Sequence, residues 1–137
     1  MNQIYNSANL KITFESERKT IVWKPLAALN QQDWQGGFIA AITFYKASYM
    51  AGKQLSWIND TKLLKGVSAF DIAWLVDYMR PLGETVPELL YVQPDCKYAV
   101  IGLKMFLEAA LIACPGLKFI VFGDYEQAVQ YVEKNRA

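Results

Sequence analysis

QLSWINDTKLLKGVSAFDIAWLVDYMR, residues Gln54–Arg80, carries one complete strand–loop–helix unit. Leu55–Asn59 is short and apolar; Leu55 and Trp57 fit alternation or a fully buried run, and Asn59-Asp60 ends the strand. Ser68, three residues ahead of Asp71, has the form of a capping box with Asp in place of the more usual Glu. A helix opens there. Ile72, Leu75, Val76 and Met79 supply its buried stripe, and Pro81 stops it. Strand, loop, helix is the unit of an α/β protein.

The flanking sequence repeats that unit. Leu10, Ile12 and Phe14 alternate with Lys11, Thr13 and Glu15; Ser16-Glu17-Arg18-Lys19 is a polar turn, and Thr20–Trp23 resumes as a strand, so a β-hairpin comes first. Lys24-Pro25 ends it. Asn30 to about Gly52 reads as a long helix, with Trp34, Phe38, Ile42, Tyr45 and Tyr49 on one stripe. Gly36-Gly37 lies in its first turns at roughly 1 kcal/mol per Gly. Either close packing against a neighbour or a frayed helix start explains the pair.

Downstream, Glu88–Val92 is a strand ended by Pro94-Asp95, and Lys97–Ala113 a helix closed by Pro115-Gly116. Leu117–Phe122 is a continuous apolar run, the pattern of a strand inside a sheet covered on both faces. Asp124 is placed to cap a last helix that turns Ala128, Val129 and Val132 inward. The order β-β-α-β-α-β-α-β-α predicts one α/β domain over residues 1–137. Its sheet is mixed and five-stranded: an N-terminal hairpin, then parallel β-α units with right-handed crossovers and four helices.

Composition narrows function mainly by exclusion. At 137 residues the chain is long enough to bury a core, and 53% apolar residues argue against disorder. The net charge is +1, and no run of Lys or Arg exceeds two, so no basic face suited to nucleic acid is expected. No histidine is present, which removes Ser/His and Cys/His nucleophile systems and the common zinc sites. Cys96 and Cys114 form neither a disulfide framework nor a metal site. The N-terminal MNQIYNSANLK lacks a signal-peptide core, and Tyr98–Cys114 is too short and too interrupted to span a bilayer; a cytoplasmic location is expected. The sequon-like Asn59-Asp60-Thr61 reads as chance on that basis.

The chain resembles the SpoIIAA-like fold shared by STAS domains, the anti-anti-sigma factors. More narrowly it is similar to small stand-alone STAS-like proteins common in Bacteroidetes, with a further likeness to the lipid-binding CRAL-TRIO domain. The segments that carry this are the strand ending in Trp23, Trp57-Ile58-Asn59-Asp60, Ser68–Trp74, Tyr91-Val92-Gln93-Pro94-Asp95, and Phe119–Gly123 leading into Asp124-Tyr125-Glu126-Gln127-Ala128. The family assignment, and the regulatory reading drawn from it, takes Leu117–Phe122 as an interior strand; a solvent-facing margin or a helix there would remove both. The resemblance implies a phosphorylatable Ser or Thr in the loop before the second helix, at or beside Ser68. Phosphate there would meet a helix N-terminus and add charge to a docking surface. Val67 and Ala69-Phe70 depart from the family's Asp-Ser-Ser-Gly-like pattern, and a plain helix cap is the favoured account of Ser68.

The remaining candidates are weaker. Asp60, Asp95 and Asp124 each follow a strand; they could gather around Mg²⁺ or serve only as turn residues. Cys96, near a helix start, has a location that can activate a thiol. No phosphate-binding glycine loop occurs. The first and third helices carry more apolar surface than one face needs; a homodimer, an apolar-ligand cleft or cover by the protein's own loops would each absorb it. The sequence therefore points to a non-enzymatic regulatory or interaction module, with no catalytic residue, metal or cofactor. Its partner is a protein, and the partner-binding surface is Thr61, Lys62, Lys65, Ser68, Asp71 and Asp77. The alternative is a small carrier of a lipid or other apolar ligand.

Overall fold

Helices begin where the chain supplies a short polar side chain. In a computed structural model that describes residues 2–85 and 87–136, helix α1 (Gln31–Met50) opens at Asn30, whose Oδ1 accepts the Asp33 N–H at 2.7 Å. Helix α2 (Ala69–Met79) opens at Ser68, whose Oγ accepts the Asp71 N–H at 3.0 Å. Helix α4 (Tyr125–Arg136) opens at Asp124, whose Oδ1 accepts the Gln127 N–H at 2.9 Å. Each side chain satisfies an amide that the first helical turn leaves free. Helix α3 (Lys97–Ala113) differs: Cys96 precedes it without a capping bond, and its thiol reaches the Lys65 carbonyl instead, at 2.9 Å.

The strands are β1 (Asn2–Asn6), β2 (Leu10–Glu15), β3 (Thr20–Pro25), β4 (Ser56–Asp60), β5 (Leu89–Val92) and β6 (Phe119–Phe122). They form a single sheet in the order β1-β2-β3-β4-β5-β6; β1 to β3 pair antiparallel and β3 to β6 parallel. The α/β class, the four helices and the mixed sheet with an N-terminal antiparallel hairpin match the sequence expectation. The count of five strands does not. Residues 2–6 show no alternation, because the register shifts between Gln3 and Tyr5 and lets the adjacent Ile4 and Tyr5 both pack on the core.

A second correction concerns Leu117–Phe122. The strand starts at Phe119 and lies at the margin of the sheet, with Val121 44% exposed. Right-handed crossovers explain both its place and the layering. Each of the three β-α-β units advances one strand in the same direction, so the last strand falls at the edge. The same handedness lays α1, α2 and α3 on one face. That face holds the larger core: Leu10, Ile12, Ile21, Trp23, Trp57, Leu89 and Tyr91 from the strands meet Trp34, Phe38, Ile42, Leu75, Met79 and Phe106 from the helices. Helix α4 crosses to no further strand and covers the other face, packing Ala128, Val129 and Val132 on Ile58, Leu90 and Val92. Side chains of β4 and β5 alternate between the two cores, as the pleat requires.

The Gly36-Gly37 pair resolves as close packing at one position. A Cβ on Gly37 would fall 2.5 Å from Leu10 Cδ2 and 3.2 Å from Ile12 Cδ1, side chains that are fully buried; on Gly36 it would meet only Tyr5, at 3.5 Å. Helix α1 thus sits directly on β2. Gly37→Ala is expected to cost about 1–3 kcal/mol through overpacking, whereas Gly36→Ala should be neutral or gain up to about 1 kcal/mol of helix propensity. Urea unfolding of the two variants checks this; equal effects would contradict the close approach.

Candidate functional site

The loop between β4 and α2 is held from beneath. Leu64 is buried in it, and Thr61, 2% exposed, donates its hydroxyl to the Val92 carbonyl at the end of β5. Thr61 is therefore no part of an outer surface, contrary to the sequence expectation. Its hydroxyl staples the loop to the neighbouring strand, a pairing with a partner 31 residues away that local pattern does not reveal. The loop then runs along the start of α3: the Asp95 N–H donates to the Lys62 carbonyl at 3.0 Å, the Cys96 thiol reaches Lys65, and Gly66 lies against Tyr98.

Above this base, Lys62, Lys65 and Ser68 are exposed, as expected. Asp71 is half-buried, and its carbonyl accepts the Trp34 indole N–H at 2.9 Å, tying α2 to α1. Asp77 stands apart, six residues further along α2, or about 9 Å of helix axis. It is exposed, and its nearest partner is Arg80 at 3.5 Å. The surface accordingly gathers Lys62, Lys65 and Ser68, with Asp71 at its inner margin, and leaves out Thr61 and Asp77. It gains side chains that sequence reasoning missed: Leu63, Phe70 and Tyr98 are exposed, the last two at 63% and 75%. Phe70 was legible, because it falls opposite the Ile72–Leu75–Val76–Met79 stripe. Tyr98 was not, because only the fold brings the start of α3 beside this loop.

Inside the sheet lies a second candidate. Trp23, Asn59 and Tyr91 are register partners across β3, β4 and β5, one row at the carboxyl ends of parallel strands, facing α1–α3. Ligands of open α/β sheets favour that end. Two adjoining cavities of about 30 Å³ each flank the row and share Phe38, Asn59, Leu75, Tyr91 and Phe106 as walls. The row is short of partners. Trp23 Nε1 is buried without a hydrogen bond; Asn59 Oδ1 accepts from Trp57 Nε1 at 2.9 Å, leaving its amide NH₂ as a donor. Tyr91 lines both cavities, and burial pushes the pKa of its hydroxyl up. An unsatisfied buried donor costs about 1–3 kcal/mol, so the Trp23 indole N–H calls for a reason. Each cavity has room for about two water-sized groups, far less than an acyl chain needs.

Asp60, Asp95 and Asp124 act locally: Asp60 accepts from the Lys62 N–H at 3.4 Å, Asp95 turns the chain into α3, and Asp124 caps α4. They form no metal-holding group among the described residues. Cys96 is half-buried and Cys114 buried. The apolar surplus of α1 is largely covered: Tyr45 is buried, and Phe44 packs on Phe14 at 5.0 Å, although Tyr49 stays partly exposed. That of α3 is not, since Tyr98, Ile101, Met105 and Ile112 form an exposed stripe. Among the described residues no helix is long and apolar enough to cross a membrane. No family model matches the chain, and no curated protein matches it.

Two outcomes follow from this geometry. Ser68→Ala removes the cap on α2 and should lower stability by about 0.5–2 kcal/mol, read by thermal or urea unfolding. Tyr91 holds its proton in the folded state above the pH at which an unfolded tyrosine, near pH 10, loses it. Its contribution is complete below pH 10 and is lost as pH rises beyond that point, at up to about 1.4 kcal/mol per pH unit. Tyr91→Phe should flatten the fall in stability between pH 10 and 12; an unchanged slope would show that Tyr91 ionises freely in the fold.

Proposed function

We propose that this chain is a non-enzymatic interaction module that docks a protein partner on the surface around Lys62, Leu63, Lys65, Ser68, Phe70 and Tyr98. The observation that carries the reading is the exposure of large apolar side chains around an accessible serine at a helix start, on a loop anchored by Thr61 and Leu64. Exposed Lys62, Lys65 and Lys97 rim this patch, so the chemistry suits an apolar partner segment flanked by acidic residues. The anchored base lowers the ordering cost of binding. A phosphate on Ser68 would offset much of the positive charge of those lysines and change docking without a change of fold.

The STAS-like assignment belongs to this proposal. The succession of β-α units from β3 onward and the position of Ser68 at the head of α2 support it. The marginal place of β6 runs against the interior strand on which that assignment was made, so the docking reading stands on the exposed patch and not on the likeness. A second copy of the chain is one partner to which the stripe on α3 is suited.

A photo-crosslinking residue placed at position 70 and expressed in the source cells should yield one discrete adduct. Lys62→Glu together with Lys65→Glu should abolish it. Crosslinking of equal strength from position 134, on the exposed side of α4, would sink the docking surface. Light scattering of the purified chain separates a second copy from a different protein: a monomer at every concentration excludes self-association.

A further inference from the structure

We infer that the cross-strand row Trp23–Asn59–Tyr91 is a binding site for a small neutral molecule that carries a hydrogen-bond acceptor on a short apolar body. It stands apart from the docking surface around Ser68 and does not depend on it. Three observations carry it. The row offers the buried, unpartnered Trp23 indole N–H, with the Asn59 amide NH₂ and the Tyr91 hydroxyl as further donors on side chains that line the cavities, and such a lining favours an acceptor such as a carbonyl or ether oxygen. Trp23 is 2% exposed, and its ring is fixed by stacking on Phe38 at 4.8 Å and an edge contact with Trp34 at 5.8 Å, so the donor cannot swing out to water. Empty space adjoins the row on both sides, ending at Met79 and Leu82 in one direction and at Val67 and Leu103 in the other.

The walls select the ligand's class. Among the described residues none of the cavity-lining side chains is charged, so a carboxylate or ammonium would enter without a counter-ion and is disfavoured. The two cavities of about 30 Å³ admit a few heavy atoms and no long chain. A short ketone or ether fits these terms. A lipid does not. Bound water would meet the same polar groups but leave the apolar walls unused, and the test distinguishes the two.

The four tryptophans give four indole N–H resonances in a ¹⁵N correlation spectrum, and Trp23→Phe assigns one of them. Titration with 2-butanone should move the Trp23 signal saturably, whereas butyrate and 2-decanone should leave it in place. Trp23→Phe should weaken 2-butanone binding, followed on the Trp34 and Trp57 signals, by about tenfold, the effect of one hydrogen bond. Should that variant not fold, Tyr91→Phe, which removes a single oxygen, reads the same loss. Leu103→Phe, which fills one cavity, should abolish binding while the remaining signals keep their dispersion. A linear, unsaturable shift, equal affinity in the donor variant, or a long-lived water contact at the Trp23 indole that the ketone fails to displace would each overturn the assignment.

Discussion

Handedness of the β-α-β crossover governs this molecule. When three successive units all step the same way along a sheet, the right-handed rule leaves no freedom over which face their helices take. Helices α1, α2 and α3 must share one side, and the strand faces beneath them are apolar apart from Asn59. The other side is left to whatever follows the last strand. Helix α4 is that element, and its short stripe of Ala128, Val129 and Val132 covers the parallel strands only. On that side of the hairpin Lys11 and Lys24 lie in solvent, while Thr13, Thr20 and Val22 further along are buried. One exposed contact, Arg18 to Glu133 at 3.4 Å, joins its turn to α4.

Crowding three helices over one face also sets where polar atoms are trapped. Trp23, Asn59 and Tyr91 stand in register because parallel pairing puts corresponding residues side by side. The aromatic walls supply much of the stability that tolerates such groups: Trp23, Trp34 and Phe38 meet in stacked and edge-on pairs, and Tyr45 adds an edge contact to Trp57 at 6.3 Å. An indole N–H held without a partner in an otherwise dense interior makes this row the part of the core where packing alone does not explain the residue choice.

The loop outside follows the opposite logic. Its backbone is fastened at Thr61, Leu64, Lys62 and Lys65, while the side chains between those points face solvent. A mobile loop of the same composition would lose ordering entropy on docking; this one has already given it up in folding. Tyr98 contributes from a different helix, so the apolar patch is a property of the assembled structure.

Much of the architecture was legible from the order of residues. Strand and helix periodicity, the caps Ser68 and Asp124, and the alternation of β2 depend on neighbours within a few positions, and those interactions form whatever the tertiary context. The first strand escaped because its bulge breaks alternation, and β6 was misplaced because an apolar run looks the same at an edge packed by α4 as in the interior. Burial of Thr61, the patch joining Phe70 to Tyr98, and the row of Trp23, Asn59 and Tyr91 all unite residues more than 25 positions apart. Local chemistry determined which elements form and where they begin. Which side chains meet was decided only by the direction in which right-handed crossovers wind the chain, since that alone sets which distant strands become neighbours.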